Sequence, residues 1–590
     1  MVMTTWVHWL GALWLANALT ATIMPSSVRA QAPAPPGGLR VVSRTEPEQP
    51  AVVIWPDRAS VRPGRTRQFT AVVSGTSNQE VTWSATGGTI GSDGTYTAAQ
   101  TAGTYRVTAT TSEGTITGSA PVIVGVNSVV EIAPVQEIQD VVDESPAGAT
   151  FLLKAGVHRP QTIIPKERQT FMGEPGTILS GARVLTGWAR SGATWYVTGQ
   201  TQQGLPRGEC LPEHPRCAHP ENLFVDDKIL IHTDSLSRGG PGKWFFDYAA
   251  DRIYVWDDPT GHVVEASVVT YAFDGAASNV TISDLVIEKY ANRAEDGAIQ
   301  AWDATGWTIL DNEVRWNHGI GIHMADGRRV LNNHLHHNGQ MGIGGKGDNS
   351  YVVGNEIAYN NTVGFDPYWS AGGTKFTFSD GLTISKNFSH HNGGPGLWTD
   401  TDNINVVFEY NRCEDNTHSG ISHEIGYKAI IRHNTLRRNG SKHPYPYWVE
   451  GGGIVVSTSS DVEVYGNTLE ENWQGITGLD EDRGAGGHGV HTLTNFHAHD
   501  NVVKSVTPLG EGSGRTGIKG ETEATFTRKG NLFTNNTYEL GPYRTYFFWM
   551  DGEHSEAAWK GFGQDVDGRF VRAEAPTNTP ANASVGSPPR

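Results

Sequence analysis

Cysteine is scarce in this chain, with 3 among 590 residues. That scarcity excludes a fold held together by many disulfides, and the three lack the paired C-x2-C spacing of a structural zinc site. Cys210 and Cys217 share one proline-rich segment and could close a small loop, bridged or not. Cys413 stands where a repeat described below expects an inward apolar residue, so we predict a buried thiol there.

Charged residues are also few, at 18% of the chain, and the acidic excess gives a formal net charge of −17. This balance disfavours nucleic acid or an anionic membrane surface as a partner. It also disfavours a polyanionic substrate, unless a local basic patch offsets it. Glycine is abundant instead, at 71 residues, which with recurring Asn and Thr favours many short strands joined by tight turns.

Long apolar runs are confined to the N-terminus, where residues 6–23 form one. Val28-Arg29-Ala30 resembles a small-residue cleavage site, so we predict a signal peptide over 1–30. An uncleaved anchor is the alternative, because no Lys or Arg precedes the run. The expected location is secreted, cell-surface or periplasmic, with no membrane contact after cleavage. Residues 31–50 read as a linker and the Pro- and Ala-rich 573–590 as a disordered tail.

Residues 51–125 alternate apolar and polar positions between Gly, Ser, Asn and Asp turns, which predicts a small β-sandwich. Its expected core includes Phe69, Trp83, Tyr96 and Tyr105. The segment resembles the bacterial immunoglobulin-like modules of surface and secreted proteins. That resemblance implies a spacer, with carbohydrate binding or cell-wall association as the alternative.

Asn-x4-Asn recurs seven times in the second half of the chain, at a period of about 20 to 30 residues that indicates a solenoid of stacked coils. The pairs are Asn312/Asn317, Asn333/Asn338, Asn355/Asn360, Asn387/Asn392, Asn411/Asn416, Asn434/Asn439 and Asn467/Asn472. Buried amides at one turn can hydrogen-bond up such a stack. We therefore predict that these asparagines are structural.

The stretch that begins near residue 134 (VQEIQDVVDESPAGATFLLKAGVHRP) resembles the entry to a right-handed parallel β-helix of the pectate-lyase-like superfamily, with an amphipathic capping helix before the first coils. The resemblance implies an all-β fold: a right-handed, single-stranded parallel β-helix over 126–572, preceded by the immunoglobulin-like β-sandwich. Residues 221–267 resemble a β-rich insertion of exported β-helix proteins. The repeat register decays after about 505, so 505–572 is predicted to be a C-terminal cap.

A glycine and then an apolar residue follow each second asparagine. If the apolar residue points inward, the alternation of a strand turns the residues two and four positions after the glycine outward. In the middle coils the residues at these outward positions are polar or aromatic: Asp366, Tyr368, Trp398, Asp400 and Glu424. Asp402 lies two residues after Asp400 and is expected to point the same way. The two longest repeats flank this patch and add residues 367–378 and 441–452. Aromatic residues of such loops suit stacking on sugar rings.

The motif Gly396-Leu397-Trp398-Thr399-Asp400 and the segment 423–426 (HEIG), one coil later, resemble the parallel-β-helix glycosidases, particularly the β-xylosidase family. The resemblance implies Asp400 as nucleophile and Glu424 as acid/base. Both lie thirteen residues after the first asparagine of their repeat, and strands in register stand about 4.8 Å apart, near the separation of a retaining pair. The predicted substrate-binding residues are Asp366, Tyr368, Trp398, Asp402, His423, Tyr447, Trp448 and Glu450.

The prediction is therefore a glycoside hydrolase that acts on a polysaccharide or oligosaccharide without a metal or other cofactor. One alternative is a Ca²⁺-dependent lyase or epimerase acting on uronates, with Asp400, Asp402 and Glu424 as ligands and Lys346 or Lys428 as base. Another is a non-catalytic carbohydrate-binding or surface adhesion protein. The dipeptides His336-His337 and His390-His391 are interpreted as outward turn residues rather than metal ligands.

Overall fold

The computed structural model describes residues 51–572, apart from 56–58, 62, 75–79, 113, 115, 125–128, 441–450, 507–512 and 542–544. The predicted signal peptide, linker and tail lie outside the described residues. Among the helices within the described ranges, none has the length and apolar character needed to cross a membrane.

Three long sheets of stacked strands form a right-handed parallel β-helix, which confirms the predicted fold class. The first sheet has strands Val130–Ile132, Thr150–Leu153, Thr170–Gly173, Thr281–Ser283, Thr308–Leu310, Arg329–Leu331, Tyr351–Val353, Thr383–Ser385, Val406–Glu409, Ala429–Arg432, Val462–Tyr465, His497–His499 and Leu532–Thr534. The second has Gly156–His158, Thr177–Ser180, Val286–Glu288, Glu313–Arg315, His334–His336, Glu356–Ala358, Phe388–His390, Arg412–Glu414, Thr435–Arg437, Thr468–Glu470, Val502–Ser505, Thr537–Leu540 and Arg569–Arg572.

The third sheet carries the candidate site. Its strands are Gly297–Ile299, Ile320–His323, Met341–Gly345, Thr374–Phe376, Leu397–Asp400, Ile421–Glu424, Gly452–Ser457, Gln474–Asp480, Thr516–Gly520, Phe547–Trp549 and, antiparallel to its neighbour, Gly552–His554. One apolar core runs up the inside of the coils, and Cys413 lies in it with a buried free thiol, as predicted. Burial raises the pKa of that thiol, so it is a poor nucleophile.

Asparagine ladders hold the turns of the helix together. In the first ladder each Nδ2 donates to the Oδ1 of the asparagine one coil on, as Asn387 does to Asn411 and Asn411 to Asn434, both at 3.0 Å. This ladder continues past the predicted repeats through Asn501 and Asn536. Nearly all these amides are fully buried, so the structural interpretation of the asparagines is confirmed.

The mid-ladder substitution Asn411→Ala is expected to lower the free energy of unfolding by about 1–3 kcal/mol, because it strands buried donors and acceptors on the coils above and below. Thermal or urea unfolding measures this. Asn405→Gly is the control, because that side chain makes an exposed hydrogen bond to Asp380 and its φ of 54° suits glycine, so stability should be nearly unchanged. Equal stability of the two variants would contradict a supporting role for the ladder.

Short helices close both ends of the coils. Helix Ile138–Glu144 buries Ile138 and Val142 at the N-terminal end, as the predicted capping helix requires. At the other end, helix Glu556–Gly561 buries Trp559, and short helix Glu523–Thr527 lies before it. The segment 505–572 also contributes strands to all three sheets, so coils continue where the sequence register had faded.

Two sheets project from the coils between residues 182 and 267, beginning upstream of the predicted insertion start at 221. Both are antiparallel, except that Ile231–Thr233 pairs in parallel with Lys243–Asp247. One contains Ala182–Val184, Val264–Ser267, Leu223–Val225 and Lys228–Ile229; the other contains Ala189–Ser191, Thr194–Thr198, Arg252–Val255, Lys243–Asp247 and Ile231–Thr233, with 3-10 helix Leu236–Arg238 between strands. A disulfide joins Cys210 and Cys217. The loop that it closes packs against Phe365 and Trp369, next to the candidate site.

The N-terminal unit is all β, with its own core that includes Phe69 and Tyr96. Its strands are Ala51–Trp55, Ala59–Val61, Thr66–Gln68, Thr70–Ser74, Val81–Ala85, Thr89–Ile90, Thr95–Thr97, Gly103–Thr111 and Thr117–Val124. Trp55 and Val72 are buried against Leu310, Leu331 and Val353 of the first parallel sheet. The unit is therefore docked on the coils, and its immunoglobulin-like character stays a prediction.

Candidate functional site

Asp400 and Glu424 end neighbouring strands of the third sheet and are direct partners in its register. Inward residues anchor both strands: Leu397 and Ile421 are fully buried in the core. Alternation then turns both carboxylic side chains to the outer face, where they are 13% and 23% exposed. The predicted one-coil spacing of the two carboxyls is thus what the structure shows.

Lys375 is the partner of Asp400 that the sequence reasoning missed. Its ammonium lies 2.9 Å from Oδ2 of Asp400, 4.0 Å from the ring centre of Trp398, and donates to the Trp369 carbonyl at 3.1 Å. The residue sits in the strand after the helix Pro367–Ser370, within the added segment 367–378. A carboxylate at Asp400 is therefore balanced by a fixed positive charge.

Glu424 is in a different electrostatic setting. Burial and the nearby charge of Asp400 raise its pKa to about 7, although Arg483, whose Nη1 lies 3.0 Å from Oε1, and Lys375 oppose the rise. The two carboxyls therefore differ in environment, one paired at close range with an ammonium and the other desolvated. Such divergence allows one to be charged while its neighbour holds a proton.

The raised pKa of Glu424 predicts a pH-dependent cost to stability. Because its pKa rises from 4.5 to about 7 on folding, its contribution is fully present below pH 4.5 and is lost as pH rises towards 7. Relative to Glu424→Gln, the wild-type free energy of unfolding should fall by roughly 2–3 kcal/mol across that window. Urea unfolding of both proteins at several pH values measures this. Parallel curves would contradict the proton assignment.

Asp402 binds a hairpin rather than facing the cleft. Its carboxylate accepts hydrogen bonds from His491 Nε2 at 2.7 Å and from the Gly487 amide at 3.0 Å, and so ties down the strands Ala485–Gly486 and Gly489–Val490. Burial opposes the change, but these bonds lower the pKa of Asp402 overall. Asp402 therefore anchors the hairpin that follows Arg483, and its contact with substrate stays a prediction.

Other predicted residues divide into three groups. Asp366 caps the helix Pro367–Ser370 by accepting from the Tyr368 amide at 2.9 Å, while Tyr368 and the nearly buried Trp398 line the cavity beside Glu424. Tyr447, Trp448 and Glu450 lie outside the described residues. The remaining residue, His423, is considered separately below.

The prediction that His423 binds substrate is wrong. Its ring is fully buried inside the coil, where Nδ1 accepts from the Thr399 hydroxyl at 2.8 Å and Nε2 donates to the Tyr427 carbonyl at 2.8 Å. Burial lowers the pKa of His423 to about 4, so the ring is neutral. The alternation that sends Glu424 outward necessarily turns its neighbour inward.

Two cavities meet at the carboxyl pair. One, of about 300 Å³, is lined by Tyr368, Trp398, Glu424 and Arg483. The other, of about 730 Å³, lies towards the N-terminal coils and is lined by Asp400, Lys375 and Trp302, whose ring is 66% exposed. The pair thus stands at the boundary of a cleft that can hold groups on both sides of it.

The three carboxylates proposed as Ca²⁺ ligands do not converge on one point in the described structure. Asp400 is paired with Lys375, Glu424 with Arg483, and Asp402 with the hairpin. Among the described residues, the group of three whose ligand atoms do converge is a different one, Glu313, His334 and His336. The carboxylates of the cleft are therefore paired with cationic side chains and do not form a common cation-binding site.

Comparison with known proteins supports the same fold. A family model described as "Right handed beta helix region" matches residues 297–469. Among solved structures, the chain is similar to XylC in complex with xylose, with 14% sequence identity, coverage of 76% of this chain and 86% of that one, and a TM-score of 0.56. It also matches the A-module of the Azotobacter vinelandii mannuronan C-5 epimerase AlgE4 at 12% identity, over 74% and 93% of the two chains, with a TM-score of 0.38.

A third match is the family 28 exopolygalacturonase of Yersinia enterocolitica, at 11% identity, over 82% of this chain and 84% of that one, with a TM-score of 0.37. None of the curated proteins matches the chain. The stacked coils, the family-model match and the likeness to XylC define the chain as a right-handed parallel β-helix protein.

Proposed function

We propose that the chain is an exported glycoside hydrolase in which Asp400 is the nucleophile and Glu424 the acid/base. Support comes chiefly from one observation: the two carboxyls are register partners one coil apart, in environments that differ in charge and burial. Strands in register lie about 4.8 Å apart, near the roughly 5–5.5 Å between the carboxyl groups of retaining glycosidases.

The geometry suggests how the two groups share the reaction. Asp400 lines the larger cavity, so a sugar bound there places its anomeric carbon towards the carboxylate. Glu424 lines the smaller cavity, where it protonates the leaving group as the glycosidic bond breaks and Asp400 forms the glycosyl ester. Glu424 then removes a proton from the water that cleaves the ester, which restores both groups.

Aromatic side chains favour a sugar as the ligand of this cleft. Trp302 exposes its ring at the larger cavity and Tyr368 borders the smaller one. Sugar rings stack on such faces through their apolar C–H surfaces. Since the similar structure XylC was solved with xylose, pentose-containing glycosides are the first substrates to test.

A uronate lyase or epimerase is the second candidate, favoured by the cations in the cleft. Lys375 and Arg483 are held beside the two carboxyls, and Lys519 lines the smaller cavity. A uronate carboxylate would meet these groups, and Lys375 or Arg483, beside the carboxyl pair, would abstract the proton. The cleft therefore carries local positive charge, although the net charge of the whole chain is negative.

A parallel screen of plant and bacterial glycans separates the candidates. Purified protein is incubated with each glycan, with and without EDTA, while new reducing ends and the absorbance of unsaturated uronates are followed. New reducing ends without unsaturation, unaffected by EDTA, are expected. Unsaturated products would overturn hydrolysis in favour of the lyase, and binding without any product would favour a carbohydrate-binding or adhesion protein.

The charge of Arg483 should influence the pH at which kcat/KM falls on the alkaline side, the alkaline limb of the pH profile. An acid catalyst works while protonated, so kcat/KM should fall as pH rises through about 7, the pKa of Glu424. Since the Arg483 charge lowers that pKa, Arg483→Met should move the limb to higher pH. Initial rates across pH measure this, with the exposed Arg528→Met as the matched control. An unmoved limb would contradict the role of Glu424 as acid.

A further inference from the structure

The outer face of the second parallel sheet carries a group of imidazoles and carboxylates on a different sheet from the carboxyl pair. Glu313 is the register partner of His334, and His334 is in turn the partner of Glu356 one coil on. His336 follows two residues after His334 on the same strand, so both rings project from the same face. Three consecutive coils therefore contribute to one patch.

Three of these side chains converge. The ligand atoms of Glu313, His334 and His336 all lie within 4.8 Å of one another. His336 Nε2 is 3.1 Å from Oε1 of Glu313, and the rings of His334 and His336 stack with centres 4.0 Å apart. His334 is exposed while His336 is nearly buried, so the group is open to solvent on one side and fixed by protein on the other.

Neighbouring groups hold these side chains in place. His336 Nδ1 lies 2.7 Å from Nδ1 of His337, which fixes the orientation of the His336 ring as second ring nitrogens do in metal sites. Arg315 contacts Glu313, yet its Nε and Nη2 both bind Glu288, at 2.9 and 2.8 Å. The guanidinium can therefore keep Glu288 when Glu313 turns to a new partner.

The chain contains an incomplete copy of this arrangement. His390 Nε2 lies 3.1 Å from Oε1 of Glu356, and His390 Nδ1 lies 2.9 Å from Nδ1 of His391, which repeats the contacts of His336. The position equivalent to His334 is Phe388, however, also paired with a glutamate in register. The second group therefore has the same glutamate–histidine–histidine contacts but lacks an imidazole at the position of His334.

We propose that Glu313, His334 and His336 bind one divalent transition-metal ion. Two imidazoles and a carboxylate are a donor set that zinc accepts, with water completing four-coordination. The ion would join two coils and thereby stabilise the folded chain. The sequence interpretation of His336 as an outward turn residue is corrected, since it belongs to the strand His334–His336, and only His337, with φ 55°, is in the turn.

Zinc binding to the full chain tests this inference. Protein stripped with a chelator and dialysed is titrated with ZnCl₂ by calorimetry and by competition with a chromophoric chelator, and its melting temperature is followed. One ion per chain and a higher melting temperature are expected. His334→Phe, which copies the residue already present at Phe388, should weaken binding at least about tenfold. His390→Ala should bind zinc like the wild type.

Circular dichroism and the metal-free melting temperature establish that each variant is folded. Less than one ion per chain at saturation would overturn the inference. So would equal affinities in the wild type and His334→Phe, or an equal loss in His334→Phe and His390→Ala, since the second result would show scattered binding to surface imidazoles. Cobalt provides an independent readout, because the intense visible absorption of a four-coordinate ion should be missing in His334→Phe.

Discussion

Asp400→Asn is expected to lower kcat at least about a thousandfold on any glycoside that the wild type hydrolyses, because an amide cannot form the glycosyl ester. The substitution preserves shape on a strand whose inward neighbours are buried in the core, so the fold should persist. Initial rates on the substrate identified by the glycan screen measure the effect. Asp380→Asn, at an exposed aspartate that lines neither cavity, is the control and should keep wild-type rates.

The loss of the ion pair with Lys375 complicates this experiment and can be separated from catalysis. Asp400→Asn leaves an ammonium that is only 14% exposed without its carboxylate partner. The double variant Asp400→Asn with Lys375→Met removes both charges and should recover stability but not activity. Activity within tenfold of the wild type in either variant would contradict a nucleophilic Asp400.

Glu424→Ala should show a loss that depends on the leaving group. On a glycoside with a poor leaving group, kcat/KM should fall by about 10²–10⁴, the usual contribution of a positioned proton donor. An aryl glycoside whose phenolate leaves without a proton should lose far less in the first step. Added azide, which needs no general base, should restore turnover and give a glycosyl azide with the anomeric configuration of the substrate.

Substrate kinetics and product analysis by NMR measure these outcomes, with Glu481→Ala as a control that lines the same cavity. A uniform loss on both classes of substrate, without azide rescue, would contradict Glu424 as the acid/base. Azide that yields the opposite anomer would instead indicate a water-mediated inverting reaction. The result thus tests the role of the residue apart from its effect on folding.

The sequence predicted the coils and the carboxyl pair because both depend on a local period. Each asparagine marks the same turn, so counting from Asn387 and Asn411 places Asp400 and Glu424 in register. The signal faded after 505 because Asn501 and Asn536 lack the second asparagine of the pair, with Val506 and Gly541 in its place, although both continue the ladder. The same alternation, applied to His423 next to Glu424, indicates an inward side chain, so the prediction of His423 as a substrate-binding residue was wrong.

The sequence period could not predict the cationic side chains of the site. Lys375 lies in an added segment, where the count of residues no longer follows the repeat, and Arg483 reaches Glu424 from 59 positions further along the chain. The anchoring role of Asp402 depends likewise on the distant hairpin at Ala485–Val490. Periodicity identifies the coil to which a residue belongs, but the partners supplied by inserted loops follow from packing alone.

Trapping the covalent intermediate is the most direct test of the central claim, that Asp400 attacks sugar while Glu424 supplies the proton. A 2-deoxy-2-fluoro glycoside of the sugar identified in the screen, with a good leaving group, slows the second step so that the ester accumulates. Mass spectrometry should find one glycosyl group per chain, on the peptide that contains Asp400, and none in Asp400→Asn. A label on another residue, or no label together with an inverted product, would contradict the account.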